Sequence, residues 1–269
     1  MKRVALVQMA SGALVDVNLG AALEGILEAR RQGASLVLLP ENFLLFDSKQ
    51  LFAFAVSDAA RDALTVLKNT AKEQGIWVVA GSFPWPASDG RVYARSMVID
   101  ASGSVCAHYD KRHLFDVDVA DEKVAYRESS WIAPGDAIML AQTPVGQLGL
   151  SVCYDLRFSE HFQRLRNLGA ELLSVPSAFT ELTGAAHWEV LLRARAIETQ
   201  CYVLGAGQGG DHGNRRLTYG HSMLIDPWGE VVARANPKGF DVVSAEVDRL
   251  KLDQLRSEMP VQKQRRDPF

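Results

Sequence analysis

Short apolar runs alternate along this chain with longer segments in which apolar positions recur at helical spacing. The short runs predict six strands, at residues 4–9, 36–39, 77–80, 148–153, 172–175 and 202–206. Three of the segments between them predict helices, at residues 19–33, 159–169 and 187–200. Buried strands separated by helices of this length indicate an α/β fold in which helices cover the sheets.

The three predicted helices carry further local signals. In the second, Ser159 is the predicted N-cap and Gly169 the predicted C-terminal stop. The first and third each show an apolar stripe, formed by Leu19, Leu23, Ile26 and Leu27 in the first and by Val190, Leu191, Ala194 and Ile197 in the third.

An internal repeat sharpens the fold prediction. The segment SMVIDASGSV at 96–105 and the segment SMLIDPWGEV at 222–231 share one frame, and each predicts a hairpin with an Asp-x-x-Gly turn. GASLVLLP at 33–40 likewise resembles GAELLSVP at 169–176. Two similar α/β layers stacked sheet on sheet predict an α-β-β-α sandwich of two pseudo-repeated halves. No Pro/Gly/Ser-rich linker interrupts the chain, so residues 1–269 are predicted to form a single domain.

Composition and charge exclude several classes of function. A net charge of −3 and an isoelectric point near 6.1 argue against nucleic-acid binding, which needs a basic stripe. No apolar run reaches the roughly 18–20 residues that span a bilayer, and the N-terminus lacks a signal-type apolar segment. The three cysteines are far apart and odd in number, which disfavours a disulfide framework or a zinc cluster. We therefore expect a cytoplasmic protein without nucleic-acid or membrane partners.

Three polar residues stand where apolar strands end. Glu41 follows the strand at 36–39, Cys153 ends the strand at 148–153, and Lys111 follows the second strand of the first hairpin. Strand ends at one edge of a sheet are where α/β proteins present side chains to a crevice. A thiol, a carboxylate and an ammonium that converge there can perform acyl transfer, with the carboxylate moving protons and the ammonium stabilising an oxyanion.

Each of these residues also has a purely structural interpretation. A lone cysteine is usually a small buried apolar residue, and a charged side chain after a strand is usually solvated. A Cys-His hydrolase is an alternative, with His113, His161, His187 or His221 as the base. The pair His212 and His221 suggests metal ligands, but no carboxylate or cysteine of suitable spacing accompanies it. The glycine-rich GAGQGG at 205–210 lacks the frame of a phosphate-binding loop.

Four motifs carry a family resemblance that these patterns alone do not provide. They are LLPENF at Glu41, YDKRHLFD around Lys111, YRESSWIAPGD around Glu128 and GLSVCYDLRF around Cys153. In this order they resemble the amidase branch of the nitrilase superfamily of carbon–nitrogen hydrolases, over nearly the whole chain. Asp110, Ser159 and Ala185 depart from common family residues, which affects only expected loop shape.

The resemblance implies a role for each motif residue. Cys153 is then the nucleophile, Glu41 the general base and later acid, and Lys111 the oxyanion donor together with the backbone N–H of Tyr154. Glu128 matches a second glutamate that supports the lysine. The resemblance also implies an α-β-β-α sandwich, a homodimer or larger assembly, and a reaction that needs no metal or organic cofactor. The C-terminal MPVQKQRRDPF at 259–269 is a candidate subunit contact.

The segments HWEVLLRARAIETQCYVLGAGQ and YGHSMLIDPWGEVVAR resemble the branch of amidases that act on deaminated glutathione. That resemblance implies a 2-oxoglutaryl amide of cysteinylglycine as substrate. Alternatives are an ω-amidase acting on 2-oxoacid amides, then a nitrilase, and from another class an inactive scaffold of the same fold. The substrate-binding candidates are Arg157, Phe179 and His187 near the nucleophile and Arg215 or Arg216 for the dipeptide end.

Overall fold

A computed structural model describes residues 1–118, 125–213 and 216–266. Its strands are β1 Lys2–Gln8, β2 Ala34–Leu38, β3 Trp77–Pro86, β4 Val92–Ile99, β5 Val105–Asp110, β6 Asp116–Val117, β7 Tyr126–Arg127, β8 Leu140–Thr143, β9 Gly146–Leu150, β10 Leu172–Ser174, β11 Tyr202–Gly205, β12 Gly209–Asp211, β13 Leu217–Tyr219, β14 Met223–Ile225, β15 Val231–Arg234 and β16 Asp241–Val247. Its α-helices are α1 Val15–Arg31, α2 Leu51–Ala55, α3 Asp58–Gln74, α4 Ser159–Asn167, α5 Glu181–Thr199 and α6 Arg249–Glu258.

Two six-stranded sheets form the centre of the fold and have matching topology. The first has the order β16-β1-β2-β3-β4-β5, and the second has the order β15-β14-β11-β10-β9-β8. In each sheet three neighbouring strands are parallel, β1-β2-β3 in the first and β9-β10-β11 in the second. A hairpin extends each set on one side, β4-β5 or β14-β15, and one antiparallel strand closes the other side. The predicted α/β fold of two repeated halves is confirmed.

The two predicted hairpins turn in the same way. Asp100 accepts hydrogen bonds from the N–H groups of Ser102 and Ser104, and Asp226 accepts from those of Trp228 and Glu230. Each turn then passes through a glycine with a left-handed backbone, with φ of 81° at Gly103 and 91° at Gly229. An Asp-x-x-Gly frame therefore predicts both turns, because the carboxylate accepts the N–H groups of the turn and glycine adopts a positive φ without strain.

The sheets share one hydrophobic core. Alternate side chains of β1, β2, β3 and β4 pack with side chains from β9, β10 and β11 in a single buried cluster, whose first-sheet members include Val4, Leu6, Leu36, Leu38, Val79 and Val98. The opposite face of the first sheet packs with α1, α2 and α3 in a second buried cluster. Both faces of the parallel strands are thus covered, which is why their sequences are almost continuously apolar.

Some local predictions are corrected. The strand predicted at 148–153 ends at Leu150, because Cys153 begins a 3₁₀ turn. Phe158, and not Ser159, is the N-cap of α4, whereas Gly169 follows the helix with φ 103° as predicted.

The apolar stripe predicted on α5 does not face the core. Val190 and Ile197 on that stripe are exposed, and the buried side of the helix carries Trp188, Leu192 and Ala196 instead. Helical spacing identified the helix but not its orientation, because two sides of α5 are apolar.

Candidate active site

Glu41 is positioned by the end of β2 and by close packing with the next strand. The segment after β2 passes so near β3 that a Cβ on Gly81 would lie 1.9 Å from the carbonyl oxygen of Pro40. Asn42 then adopts a left-handed backbone with φ 54°, and its N–H donates to Ser82 Oγ at 2.8 Å. This tight turn directs a carboxylate that is only 3% exposed.

Lys111 is the residue that follows β5. Its N–H donates to the carbonyl oxygen of Ala94, and its own carbonyl accepts from the N–H of Gly135. The preceding residue, Asp110, forms two hydrogen bonds of 2.8 Å with Arg95 on β4. The hairpin end is therefore anchored on both sides, and the Lys111 side chain points into the protein with 1% exposure.

Cys153 begins a 3₁₀ turn, Cys153–Arg157, and has a left-handed backbone with φ 48°. Non-glycine residues adopt this conformation at a cost of about 1–2 kcal/mol, and such strain clusters at functional sites. The Cys153 N–H donates to the carbonyl oxygen of Pro176 at 2.9 Å, which holds the turn against the segment that follows β10. The N–H of Tyr154 comes next, at the start of the turn, where N–H groups have no acceptor within the turn itself.

The structure brings the four motif residues together. Lys111 Nζ lies 2.8 Å from Glu41 Oε1 and 2.7 and 2.9 Å from the two carboxylate oxygens of Glu128. Glu128 also accepts a hydrogen bond from the N–H of Phe115 at 2.6 Å. Cys153 lines the same cleft as these ion pairs, and its thiol lies within hydrogen-bonding reach of Glu41.

The protonation states follow from burial and from neighbouring charges. Burial lowers the pKa of Lys111, but the carboxylates of Glu128 and Glu41 outweigh it and hold this pKa well above its ordinary value. Burial, reinforced by the Glu41 carboxylate, raises the pKa of the Cys153 thiol far above its ordinary value, against the opposing effect of Lys111. Burial also raises the pKa of Glu128. At neutral pH the site therefore holds an ammonium and a neutral thiol.

These residues line a cleft of about 640 Å³, a size suited to a small organic ligand. Glu41, Lys111, Glu128 and Cys153 lie in it, together with the aromatic side chains of Phe46, Phe115, Tyr126, Trp131, Tyr154 and Phe179. Arg127, Arg157 and Arg216 add positive charge to its wall.

Of the three substrate-binding candidates predicted near the nucleophile, Arg157 and Phe179 line this cleft. The guanidinium of Arg157 lies 5.6 Å from the ring centre of Tyr154 and 5.2 Å from that of Phe179. His187 is exposed and is absent from the described cleft wall, but its Nδ1 lies 3.2 Å from Arg157 Nη1. Arg216 lines the cleft, whereas Arg215 lies outside the described residues.

Asp155 is a site residue that sequence reasoning missed. It is fully buried and accepts hydrogen bonds from the N–H of Val152 at 2.8 Å, the hydroxyl of Tyr109 at 2.7 Å and the N–H of His113 at 3.0 Å. Burial raises the pKa of Asp155, but the His113 ring, whose Nδ1 lies 2.6 Å from Oδ1, and the other contacts lower it overall. Asp155 thereby ties the Cys153 turn to the segment that carries Lys111. Its position two residues after the cysteine was visible, but its partners Tyr109 and His113 are 46 and 42 residues distant in sequence.

The histidine alternatives find no support in the geometry. No histidine is among the described residues that line the cleft. His212 uses both ring nitrogens, Nδ1 at 2.7 Å from the carbonyl oxygen of Ser11 and Nε2 at 2.6 Å from Thr218 Oγ1. Within 1–118, 125–213 and 216–266, no group of three His, Cys, Asp or Glu residues is arranged to hold a metal ion. In the same ranges no helix is long and apolar enough to cross a membrane.

Comparison with known proteins identifies the family of this chain. A model of the carbon–nitrogen hydrolase family matches residues 3–257. The chain is 42% identical to the deaminated glutathione amidase of Yersinia enterocolitica over 96% of this chain and 91% of that protein. It is 38% identical to an omega-amidase of Xenopus laevis, over 98% and 95% of the two chains.

A solved structure agrees with these sequence matches. The crystal structure of Saccharomyces cerevisiae Nit3, a member of branch 10 of the nitrilase superfamily, superimposes with a TM-score of 0.87 at 29% identity, over 99% of this chain and 97% of that one. The resemblance found in the four motifs is confirmed: the chain belongs to the carbon–nitrogen hydrolase family of the nitrilase superfamily and is a hydrolase of the amidase type.

Proposed function

We propose that this protein hydrolyses an amide bond through a thioester on Cys153. The observation that carries the proposal is the contact of one buried ammonium, Lys111, with two carboxylates, Glu41 and Glu128, beside the thiol. Burying these charged groups costs free energy, because each charge must be desolvated, and such an arrangement therefore indicates a functional role. Its place in a cleft rich in aromatic side chains gives that role: binding and cleaving a small amide.

The first half-reaction begins with a neutral thiol. Glu41 accepts the thiol proton as the sulfur of Cys153 attacks the amide carbonyl carbon, so that no free thiolate has to form beside two carboxylates. The carbonyl oxygen becomes an oxyanion, which receives hydrogen bonds from Lys111 Nζ and the N–H of Tyr154. Glu41 then gives its proton to the nitrogen, the carbon–nitrogen bond breaks, and the amine leaves.

The second half-reaction consumes one water molecule. Glu41, again a carboxylate, removes a proton from water as the water oxygen attacks the thioester carbon. Collapse of the new tetrahedral intermediate breaks the carbon–sulfur bond, releases a carboxylic acid and returns the proton to the sulfur. Glu128 does not exchange protons in this scheme; it holds Lys111 and the backbone of Phe115 in place. The scheme uses no metal, and a chelator should therefore leave the rate unchanged.

For the substrate we propose deaminated glutathione, cleaved to 2-oxoglutarate and cysteinylglycine. Relatives named for this activity support it, and so does the charge of the cleft. Arg157 lies against Tyr154 and Phe179, next to the nucleophile, where it can bind the 2-oxoacid carboxylate. His187 contacts Arg157 from outside the cleft, so we assign it the role of holding that guanidinium.

The second candidate is an ω-amidase reaction on 2-oxoglutaramate, favoured by the similarity to the Xenopus laevis enzyme. Both substrates share the 2-oxoglutaryl part and differ only in the amine that leaves. The deciding experiment compares kcat/KM for deaminated glutathione, 2-oxoglutaramate and simple nitriles. Deaminated glutathione should exceed the others by at least about tenfold, which is roughly 1.4 kcal/mol of transition-state binding. A better rate with 2-oxoglutaramate replaces this substrate, and a better rate with a nitrile overturns the amidase assignment.

Mass spectrometry of the intact protein tests the covalent step and the alternative of an inactive scaffold. Substrate should add the mass of the 2-oxoglutaryl group to the wild-type protein but not to a Cys153→Ala variant. An unmodified wild-type protein that also shows no turnover with any of the amides above favours the scaffold.

We further propose that the protein is a cytoplasmic homodimer or larger homo-oligomer. Exposed apolar side chains on α5 and the neighbouring turn, Leu182, Val190, Ile197 and Trp228, form a surface suited to a subunit contact. The other predicted contact, at 259–269, extends beyond the described residues. The cysteines Cys106, Cys153 and Cys201 are all unpaired, which suits a reducing compartment. Light scattering at micromolar concentration should show a mass above that of one 29.5 kDa chain, and a single-chain mass contradicts the assembly.

A further inference from the structure

Arg216 occupies a part of the cleft wall that the proposed reaction does not use. Its backbone is fixed by two hydrogen bonds, from its N–H to the carbonyl oxygen of Gly213 and from the N–H of His212 to its own carbonyl oxygen. The guanidinium carbon lies 4.7 Å from the ring centre of Phe46 and 5.6 Å from that of Tyr126. Among the described residues it pairs with no carboxylate, and its buried Nε has no hydrogen-bond partner. The structure thus holds a cation at the cleft wall whose Nε has no hydrogen-bond partner among the described residues.

The neighbouring histidine does not supply a second charge. His212 stacks on Phe46 at a ring-centre distance of 3.9 Å. Burial, together with the positive charge of Arg216, lowers the pKa of His212 to about 4 despite the opposing contact with Ser11, so this ring is neutral at pH 7. The positive charge beside Phe46 therefore belongs to Arg216.

A row of three aromatic rings separates Arg216 from Arg157. Arg216 contacts Tyr126, whose ring centre lies 5.0 Å from that of Phe115, which in turn lies 5.1 Å from that of Tyr154. Arg157 contacts Tyr154 directly. The reacting groups adjoin this row at Phe115, whose N–H donates to Glu128, and at Tyr154, which follows Cys153 in the chain. Arg157 therefore lies at the Tyr154 end of the row, and Arg216 lies at the Tyr126 end.

The Lys111 ammonium at the centre of the site is not available to bind a substrate carboxylate. Lys111 already contacts the carboxylates of Glu41 and Glu128, which together outweigh its charge. A substrate with a carboxylate at each end therefore needs one cation on each side of the scissile bond. The geometry points to Arg216 as the group that binds the terminal carboxylate of the leaving amine. We infer that it selects amides whose leaving group is a dipeptide with a free C-terminus. This inference rests on the proposed amide hydrolysis and extends it to the leaving-group side.

Removing the terminal carboxylate of the substrate tests its contact with Arg216 alone. The two substrates are deaminated glutathione and its C-terminal carboxamide, which differ only in the terminal carboxylate, and the readout is release of 2-oxoglutarate from each. A hydrogen bond between charged groups is worth about 10–150-fold in affinity, so the wild-type enzyme should prefer the acid by that factor in kcat/KM. In an Arg216→Met variant the preference should fall to about one. Both substrates share the acyl part, so general damage to the variant cancels in the ratio.

Arg127→Met is the matched control. Arg127 also lines the cleft, but its guanidinium already contacts Asp118 at 2.8 Å and the carbonyl oxygens of Val117 and Tyr126. This variant should keep the wild-type preference for the acid. Arg216→Lys keeps the charge without the flat, two-pronged donor, and it should retain part of the preference. It is also the variant to measure if Arg216→Met does not fold.

The outcomes separate this inference from the proposed function. If the wild-type enzyme cleaves neither substrate, the proposed substrate is wrong and the role of Arg216 is wrong with it. If it cleaves both and the acid-to-amide ratio is unchanged in Arg216→Met, or unchanged in Arg216→Lys where only that variant folds, the proposed function stands and the inference is overturned. Equal loss of preference in Arg127→Met also overturns it, because the effect is then one of general positive charge.

Discussion

The two halves of the molecule build the same strand end and place different chemistry on it. In the first half β2 is followed by Leu39, Pro40 and Glu41, and in the second half the corresponding segment ends in Pro176 and Ser177. Glu41 is buried against Lys111, whereas Ser177 is buried with its hydroxyl donating to the carbonyl oxygen of Val175. The repeated backbone therefore provides the position twice, and only one copy carries the charge.

The active site combines side chains that differ between the two halves. The first half contributes the carboxylate of Glu41 and the ammonium of Lys111, and the second half contributes the thiol of Cys153. Neutral amide and hydroxyl groups connect the halves nearby: Gln208 binds the N–H and hydroxyl of Ser11 and the carbonyl oxygen of Glu41. Buried charges need partners, whereas a neutral network is satisfied by single hydrogen bonds. One charged site per chain is consistent with that cost.

The largest expected effect distinguishes two buried cysteines of the second half. Cys153→Ala should abolish turnover, because no other group can form the acyl intermediate, and Cys153→Ser should fail as well because a hydroxyl is not activated sufficiently here. Cys201→Ala is the control, since the Cys201 sulfur contacts the carbonyl oxygen of Ala170 and the guanidinium of Arg256 and does not line the described cleft. Steady-state rates on the same amide decide between them. Near-normal activity of Cys153→Ala would remove the mechanism.

The next effect compares the two strand ends directly. Glu41→Gln should lower kcat by several orders of magnitude, because both half-reactions pass their protons through this carboxylate and general acid–base catalysis is worth roughly 10²–10⁴-fold per step. Ser177→Ala, at the equivalent place in the second half, should leave kcat within a few-fold. Single-turnover rates measure both. If the two variants lose the same factor, the proton-transfer role of Glu41 is wrong.

Lys111→Met should lower kcat by about 10²–10³, the usual cost of losing one oxyanion donor. It should also destabilise the fold, because the buried carboxylate of Glu41 and the partly buried one of Glu128 are left without their shared partner. Arg95→Met removes the neighbouring cation from its ion pair with Asp110 and is the control. That pair is partly solvent-accessible and only supports the strand end before Lys111, so the control should lose far less kcat than Lys111→Met. Urea unfolding and kcat measured together separate the two effects of Lys111.

The fold was predictable because the sequence contains two pairs of repeated segments. The turn that carries Cys153 was not predictable. The shared frames at 33–40 and 169–176 and at 96–105 and 222–231 lead directly to two matching sheets. Apolar runs predict strands at their centres but not their ends, so the left-handed backbone of Cys153 was hidden inside a predicted strand. The role of Asp155 depends on Tyr109 and His113, and no local pattern contains such distant partners.

The same limit applies to the site. Single residues did not identify it, because a buried cysteine or a lysine after a strand is common. The family motifs selected Glu41, Lys111, Glu128 and Cys153, and the structure brings those four together. Only the structure distinguishes the roles of the three arginines in the cleft wall. Arg127 is already paired with Asp118, whereas Arg157 and Arg216 lie against aromatic rings.

The smallest expected effect concerns the two matching turns. Asp100 and Asp226 each accept two backbone N–H groups, and each turn packs on the outer helix of its own half, α3 or α5. Asp226 is only 2% exposed, so water cannot readily replace its carboxylate, whereas Asp100 is partly solvated. Asp226→Ala should therefore lower the free energy of unfolding by about 1–3 kcal/mol and Asp100→Ala by about 0.5–1 kcal/mol. Urea denaturation with unchanged m-values measures both. Equal losses would mean that burial does not distinguish the turns, and a larger loss for Asp100→Ala would reverse the comparison between the halves.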